Sequence, residues 1–204
     1  MNYLAHLFFA ENSQYSILGN LMGDFVKGRN LPFPEKEICD GITLHRAIDK
    51  FTDAHPVVQR SKHRISGKRR RFSGIMIDIF YDHFLATCWE NYSSIDFYDQ
   101  ITCWYKNLNA ETRISLPEQL TRTIHAMSRD DWLSHYKTIE GIASAINGIS
   151  RRIRFRNQLA GGAEELVTHY DELQEDFHYF FPELIAHVHS LKDTLNYSQE
   201  SLPM

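Results

Sequence analysis

The sequence predicts an all-α protein, with one helical bundle spanning residues 1–195. Three observations predict it. No stretch sustains the period-2 alternation of a half-buried strand, whereas apolar residues recur at helical spacing along most of the chain. Proline and glycine fall mainly between these stretches, where they start and stop helices. The 204 residues, 43% of them hydrophobic, suffice for one sizeable core without a second domain.

Residues 1 to 10 are a short apolar entry, and Ser16 to Val26 form a first helical segment closed by Gly28. Pro32 and Pro34 punctuate the loop before a long helix that begins near Glu35. His55-Pro56 ends or bends that helix, because a residue before proline is pushed out of the helical region. A basic loop through Gly67 leads into Gly74 to Ala86, GIMIDIFYDHFLA. Here Ile75, Met76, Ile77, Ile79, Phe80, Tyr81, Phe84 and Leu85 leave almost no polar face, so this helix is expected to be wrapped by the rest of the domain. An amphipathic stretch follows from about Ile95 to Leu108. Pro117 opens the next helix near its first turn. Trp132 to Tyr136 is a short helical piece, Ile139 to Phe155 a longer one, and Ala163 to Leu195 a long last segment broken or bent near Pro182. The tail, 196–204, is expected to fray.

Ionisable residues sit on the apolar faces. Asp78 and Asp82 lie four apart on the buried helix, next to His83. Two carboxylates there repel each other and cost several kcal/mol, about the usual burial penalty, unless a metal ion or an arginine meets them. On the helix from Glu35, Leu44, Ile48 and Phe51 form one side of an apolar arc and Ile38 and Ile42 the other. His45, Asp49 and Thr52 project between them, with Asp53 at the arc's edge. His6 interrupts YLAHLFFA, and Asp24 interrupts GNLMGDFVKG, where Gly19 and Gly23 allow close approach by another backbone. A lone inward His, or a His–Asp pair four apart, is equally a core hydrogen bond. Seven inward ionisable groups, with carboxylates and imidazoles but no thiolate, also suit a hydrolytic centre holding Mn or Mg.

The formal charge of -4 is unevenly spread. SKHRISGKRRR, 61–71, and RRIRFR, 151–156, are rich in Lys and Arg and contain no acid, so they are either solvated faces or docking sites for an anionic partner. Cys39, Cys88 and Cys103 lack any CxxC spacing, which fits free thiols and a cytoplasmic protein. MNYLAHLFFA has no basic n-region, and no apolar run approaches the roughly 20 residues of a spanning helix. A membrane role is not expected.

MNYLAHLFFA, GNLMGDFVKG, LHRAIDKFTDAHP and DIFYDHFLA, in this order, resemble the acyl carrier protein phosphodiesterases, an all-helical branch of the HD phosphohydrolase superfamily. The similarity resumes at INGISRRIRFR, VTHYDEL and FFPEL. The resemblance implies a manganese-dependent hydrolase that removes the phosphopantetheine arm from holo-acyl carrier protein. It implies active-site positions at His6, Asp24, His45, Asp49, Asp82 and His83. The adjacent pair is Asp82-His83, the reverse of the superfamily's His-Asp dyad. On this basis His6, Asp24, His45, Asp49 and Asp82 are expected to hold the metal, with Asp53 and Asp78 peripheral. His83 is expected to protonate the serine leaving group or to ligate.

Arg46, beside His45, is the candidate phosphate clamp, with Arg151 or Arg152 able to reach in from the later helix. Carrier proteins are small and acidic, so Lys68, Arg69, Arg70 and Arg71, with Arg151 and Arg152, are expected to bind the substrate protein, and nucleic acid is not an expected partner. The competing readings are a hydrolase of nucleotides or small phosphoesters on the same scaffold, and an all-α binding module whose buried polar groups are structural.

Overall fold

The computed structural model describes residues 1–28 and 31–200, the side chains of 194–200 excepted; of the tail expected to fray at 196–204, 196–200 are helical and 201–204 lie outside the described residues. The described residues contain no strand. Eleven α-helices follow one another: α1 Tyr3–Phe9, α2 Gln14–Met22, α3 Lys36–Ala54, α4 Pro56–Arg64, α5 Ser73–Thr87, α6 Phe97–Leu108, α7 Glu118–Arg129, α8 Trp132–His135, α9 Ile139–Arg152, α10 Ala163–Thr168 and α11 Tyr170–Glu200.

The most extensive helix pair is α2 against α3. Two glycines make it possible. A Cβ on Gly19 would lie 2.6 Å from the Ile38 carbonyl oxygen, and one on Gly41 would lie 2.9 Å from the Gly19 Cα. Backbones this close leave no room for a side chain, and both helices are thereby locked in register. His55 ends α3 and caps α4, its Nδ1 accepting from Val57 N at 3.3 Å, while Pro56 takes the first helical position.

Three expectations are corrected. The basic loop is half helix, because 61–64 are the last residues of α4. The last segment breaks at His169, where α10 ends, and Pro182 lies inside a continuous α11. Phe177, Phe180, Phe181, Leu184 and Val188 bury that helix in the core on both sides of the proline, which offsets the lost backbone hydrogen bond. α5 is the central helix, with Met76, Ile77, Ile79, Phe80, Tyr81, Phe84 and Leu85 buried, but Ile75 is 40% exposed.

A buried polar knot joins α4 to α11. Asp176, fully enclosed, accepts from Ser61 Oγ at 2.7 Å, Arg60 Nε at 2.8 Å and Arg64 Nε at 3.1 Å, and Ser61 also meets the Tyr81 hydroxyl at 2.8 Å. Much of the basic character near residue 61 is therefore used internally. Among the described residues no helix is long and apolar enough to cross a membrane.

Candidate active site

Helices α1, α2 and α3 converge on one group of side chains. His6 from α1 and His45 from α3 stack face to face, with ring centroids 3.7 Å apart and planes 15° apart. Both address Asp49: His6 Nε2 lies 3.2 Å from Oδ1 and His45 Nε2 lies 3.1 Å from Oδ2. Asp24, just beyond α2, brings Oδ1 to 3.4 Å from His45 Nε2. His45 can take this place because Gly23 has no side chain. A Cβ there would fall 2.1 Å from His45 Cδ2.

His45 Nδ1 donates to the Asn20 carbonyl at 2.7 Å, which fixes the tautomer and turns Nε2 toward the carboxylates. Nε2 is buried and close to two carboxylates, yet makes no directed hydrogen bond to either. His6 Nδ1 is also buried without a hydrogen-bond partner.

The electrostatics divide the two imidazoles. Burial lowers the His6 pKa to about 4, and the neighbouring His45 adds to the effect. For His45, burial also opposes charge, but Asp24 and Asp49 overcome it and raise the pKa to about 9. Asp49 is held well below its usual range because His45 and His6 outweigh its burial. Burial likewise acts to raise Asp24, and His45 more than offsets it, leaving the pKa lowered. Without a metal, then, the group is an ion pair formed by one imidazolium with two carboxylates, next to a neutral imidazole.

The donor set fits a divalent cation. His6, His45 and Asp49 offer ligand atoms that all lie within 4.8 Å of one another, and they are the group of metal-ligating type found among the described residues. Two imidazole nitrogens with carboxylate oxygen and no thiolate suit a first-row divalent metal, the carboxylates favouring harder ions such as Mn and the imidazoles Fe or Zn. The undirected contacts of His45 Nε2 are what a ligand facing a shared centre would show.

A cleft of about 260 Å³ opens beside this group, lined by Asp24, Asp49, Asp53 and Asp78 together with Ile75, Ile79 and Ile149. Met1 also lines it, and its α-amino group lies 2.9 Å from Asp78 Oδ1 and 3.7 Å from Asp49 Oδ1. Asp53 sits exposed at the rim and pairs with Lys62 at 2.7 Å.

Asp82 is not brought to the His6–His45–Asp49 group. Its buried carboxylate accepts from Leu4 N at 2.7 Å and from Asn2 N and Ala5 N at 3.3 Å, holding the start of α1. Burial nevertheless raises its pKa to about 7. The charges on α5 that were expected to need a metal or an arginine are thus met by the N-terminal segment: the N–H groups at the start of α1 for Asp82 and the Met1 amino group before it for Asp78. Sequence spacing could not reveal this, because backbone donors of a distant helix leave no residue-type signal.

His83 also stands apart. Its Nδ1 donates to the Tyr136 carbonyl at 2.7 Å and its Nε2 lies 3.1 Å from the Tyr170 hydroxyl, so both nitrogens have partners; burial lowers its pKa. Arg46 is turned away from the cleft, its two terminal nitrogens donating to Gly28 O at 2.7 Å and Val26 O at 2.6 Å.

Among the basic residues, Arg69 is buried against Glu165 at 3.1 Å and the carbonyl oxygens of Gln158 and Ala160, so its guanidinium is not offered to a partner. Arg70 is folded onto the Ile65 and His63 carbonyls, both at 2.9 Å. Lys68, Arg71, Arg151 and Arg152 are exposed. Arg71 lies 4.8 Å over the ring of Phe155, itself 52% exposed, which joins the two basic segments into one surface.

The model of the family described as acyl carrier protein phosphodiesterase matches residues 1–184. Curated relatives called acyl carrier protein phosphodiesterase, from Salmonella agona (strain SL483), Salmonella newport (strain SL254) and Salmonella heidelberg (strain SL476), are each 32% identical over 189 residues, covering 91% of this chain and 96% of theirs. No solved structure matches. With the family model covering most of the chain and relatives alike along nearly their whole length, this protein is an enzyme of the acyl carrier protein phosphodiesterase family.

Proposed function

We propose that this enzyme hydrolyses the phosphodiester between a carrier-protein serine and its phosphopantetheine arm, giving apo-acyl carrier protein and 4'-phosphopantetheine, and that it works with a divalent cation, manganese first. Family membership supports the substrate. The single observation that carries the metal is the convergence of His6, His45 and Asp49 beside an open cleft, with His45 Nε2 buried and undirected. His6, His45 and Asp49 would hold the cation, with Asp24 beside them. Bound there, a divalent cation supplies Lewis acidity toward phosphoryl oxygen and lowers the pKa of water.

The chain's own residues prepare the site. His6 is neutral and ready to ligate, while Asn20 orients His45 through the carbonyl that accepts from Nδ1. Asp82 holds the start of α1 and so sets the position of His6 one turn on. Ile75, Ile79 and Ile149 give the cleft an apolar lining for the uncharged part of the arm. Lys68, Arg71, Arg151 and Arg152 form the surface that draws in an acidic carrier. Free, half-buried thiols at three positions and the carrier substrate agree with a cytoplasmic enzyme.

The test is direct: incubate the protein and manganese with holo-carrier and read the carrier's mass. Conversion to the apo mass, abolished by chelation and restored by manganese, is the expected result. An unchanged carrier mass would reject the substrate, and turnover insensitive to chelation would reject the metal.

A further inference from the structure

Charge on the non-bridging oxygens of a phosphodiester is best met by a guanidinium whose donors are free and whose position is held. Several arginines fail that condition. Arg46 is tied to Val26 and Gly28, Arg69 to Glu165, Arg70 to Ile65 and His63, and Arg60 and Arg64 to Asp176.

Arg152 meets it. Its guanidinium carbon lies 5.9 Å from the centroid of the Trp132 ring, and among the described residues it has no hydrogen bond or ion pair. Helix α9 places it beside the cleft: Ile149 lines the cleft, and Arg152 is the neighbour three residues on along the same face. From the other side, Trp132 stacks on Tyr3 with centroids 6.5 Å apart, and Tyr3 adjoins Asn2, another lining residue. The Tyr3 phenol is raised to about 12, first by burial and then by Asp24, while Arg152 acts in the opposite sense, so the phenol is within electrostatic reach of both.

We propose that Arg152, held on the Trp132–Tyr3 stack beside the cleft, is the residue that binds the non-bridging oxygens of the substrate phosphate, with Trp132 as its positioning residue. The assignment rests on the phosphodiesterase reading of the cleft. It separates Arg152 from the other exposed basic residues: Lys68 and Arg71 act on the carrier at long range, whereas Arg152 makes a contact.

The test uses the manganese-supplied protein with two readouts, inorganic phosphate binding by titration and kinetics on holo-carrier. Arg152→Ala is expected to weaken phosphate binding and lower kcat/KM by roughly 10- to 100-fold, the scale of a lost charge-assisted hydrogen bond. Arg152→Lys should recover part of the loss. Trp132→Ala should reproduce a fraction of it and Trp132→Phe should restore it, because a ring face is what holds the guanidinium. These losses should persist at about 1 M salt, where screening over about 3 Å abolishes steering but not contact.

If Arg152→Ala retains wild-type phosphate affinity and KM while holo-carrier is still converted, the assignment is overturned and the phosphodiesterase reading stands. If phosphate binding depends on Arg152 but wild-type protein leaves holo-carrier intact, the arginine site is upheld and the substrate reading falls. If wild-type protein neither binds phosphate nor turns over carrier, both are overturned.

Discussion

His45 makes the candidate centre testable at the level of a proton. A pKa raised from 6.5 to about 9 means that its charged form stabilises the metal-free protein fully below pH 6.5, and that this contribution is lost as pH rises through about 9. A ligated imidazole must be neutral, so metal uptake near pH 7.5 should release about one proton, and affinity should rise about tenfold per pH unit up to about pH 9. Calorimetry in buffers of different ionisation enthalpy counts that proton. His45→Ala should bind no metal and release none, and binding that ignores pH between 6 and 9 would remove His45 from the ligand set. Gly23 offers a second residue-level check. Because a Cβ would lie 2.1 Å from His45 Cδ2, Gly23→Ala must displace the ring. Turnover should fall at least about tenfold, a misplacement effect, while far-UV circular dichroism stays unchanged.

Among the elements, α1 is held by a carboxylate that belongs to another helix. Asp82→Ala would leave the Asn2, Leu4 and Ala5 N–H groups without their acceptor, two of them in buried contacts, at about 1–3 kcal/mol for each group that water cannot reach. The expected result is a clear drop in the melting temperature of the metal-free protein, with loss of activity because His6 rides on α1. A variant with wild-type stability without metal, and with altered metal binding, would instead make Asp82 a ligand. The α2–α3 pair shows the opposite economy: Gly19 and Gly41 hold two helices by leaving side chains out, and this is what carries Asp24 and His45 to one place.

Across the whole molecule, the two basic segments meet where Arg71 lies over Phe155, near the face that carries Arg152. Steering of an acidic carrier is screened over about 8–10 Å at ordinary ionic strength. Reversing Lys68 and Arg71 together should therefore raise KM for holo-carrier several-fold, leave turnover at saturation nearly unchanged, and flatten the salt dependence of kcat/KM. Steady-state kinetics across a salt series decides it, and wild-type behaviour of the reversed protein at low salt would end the docking claim. Arg69 does not belong in that experiment. It ties the loop before α5 to Glu165 on α10, and its loss would be felt as instability.

The helical class and most helix starts were legible in the sequence, because periodicity and the positions of proline and glycine are local properties. So was the burial of His6 and His45, each a polar residue within an apolar stretch, whereas Asp49, Asp78 and Asp24, expected to face inward by the same pattern, line the cleft with side chains 37%, 32% and 57% exposed. Pro182 misled because packing of Phe177, Phe180 and Phe181 outweighs one missing hydrogen bond, and packing is not local. The same limit applies to the partners of Asp78, Asp82 and Arg69. For Asp78 and Asp82 the apolar surroundings required that each charge be met, but not by what: an α-amino group and three backbone N–H groups are supplied by a segment that is a neighbour only after folding, and Arg69, expected at a docking surface, is instead buried against Glu165. The sequence by itself determined which groups had to be compensated and in which class of fold. Only the tertiary structure decided which of them share a centre, because a residue's own sequence sets its face on a helix, whereas the crossing of helices sets what that face meets.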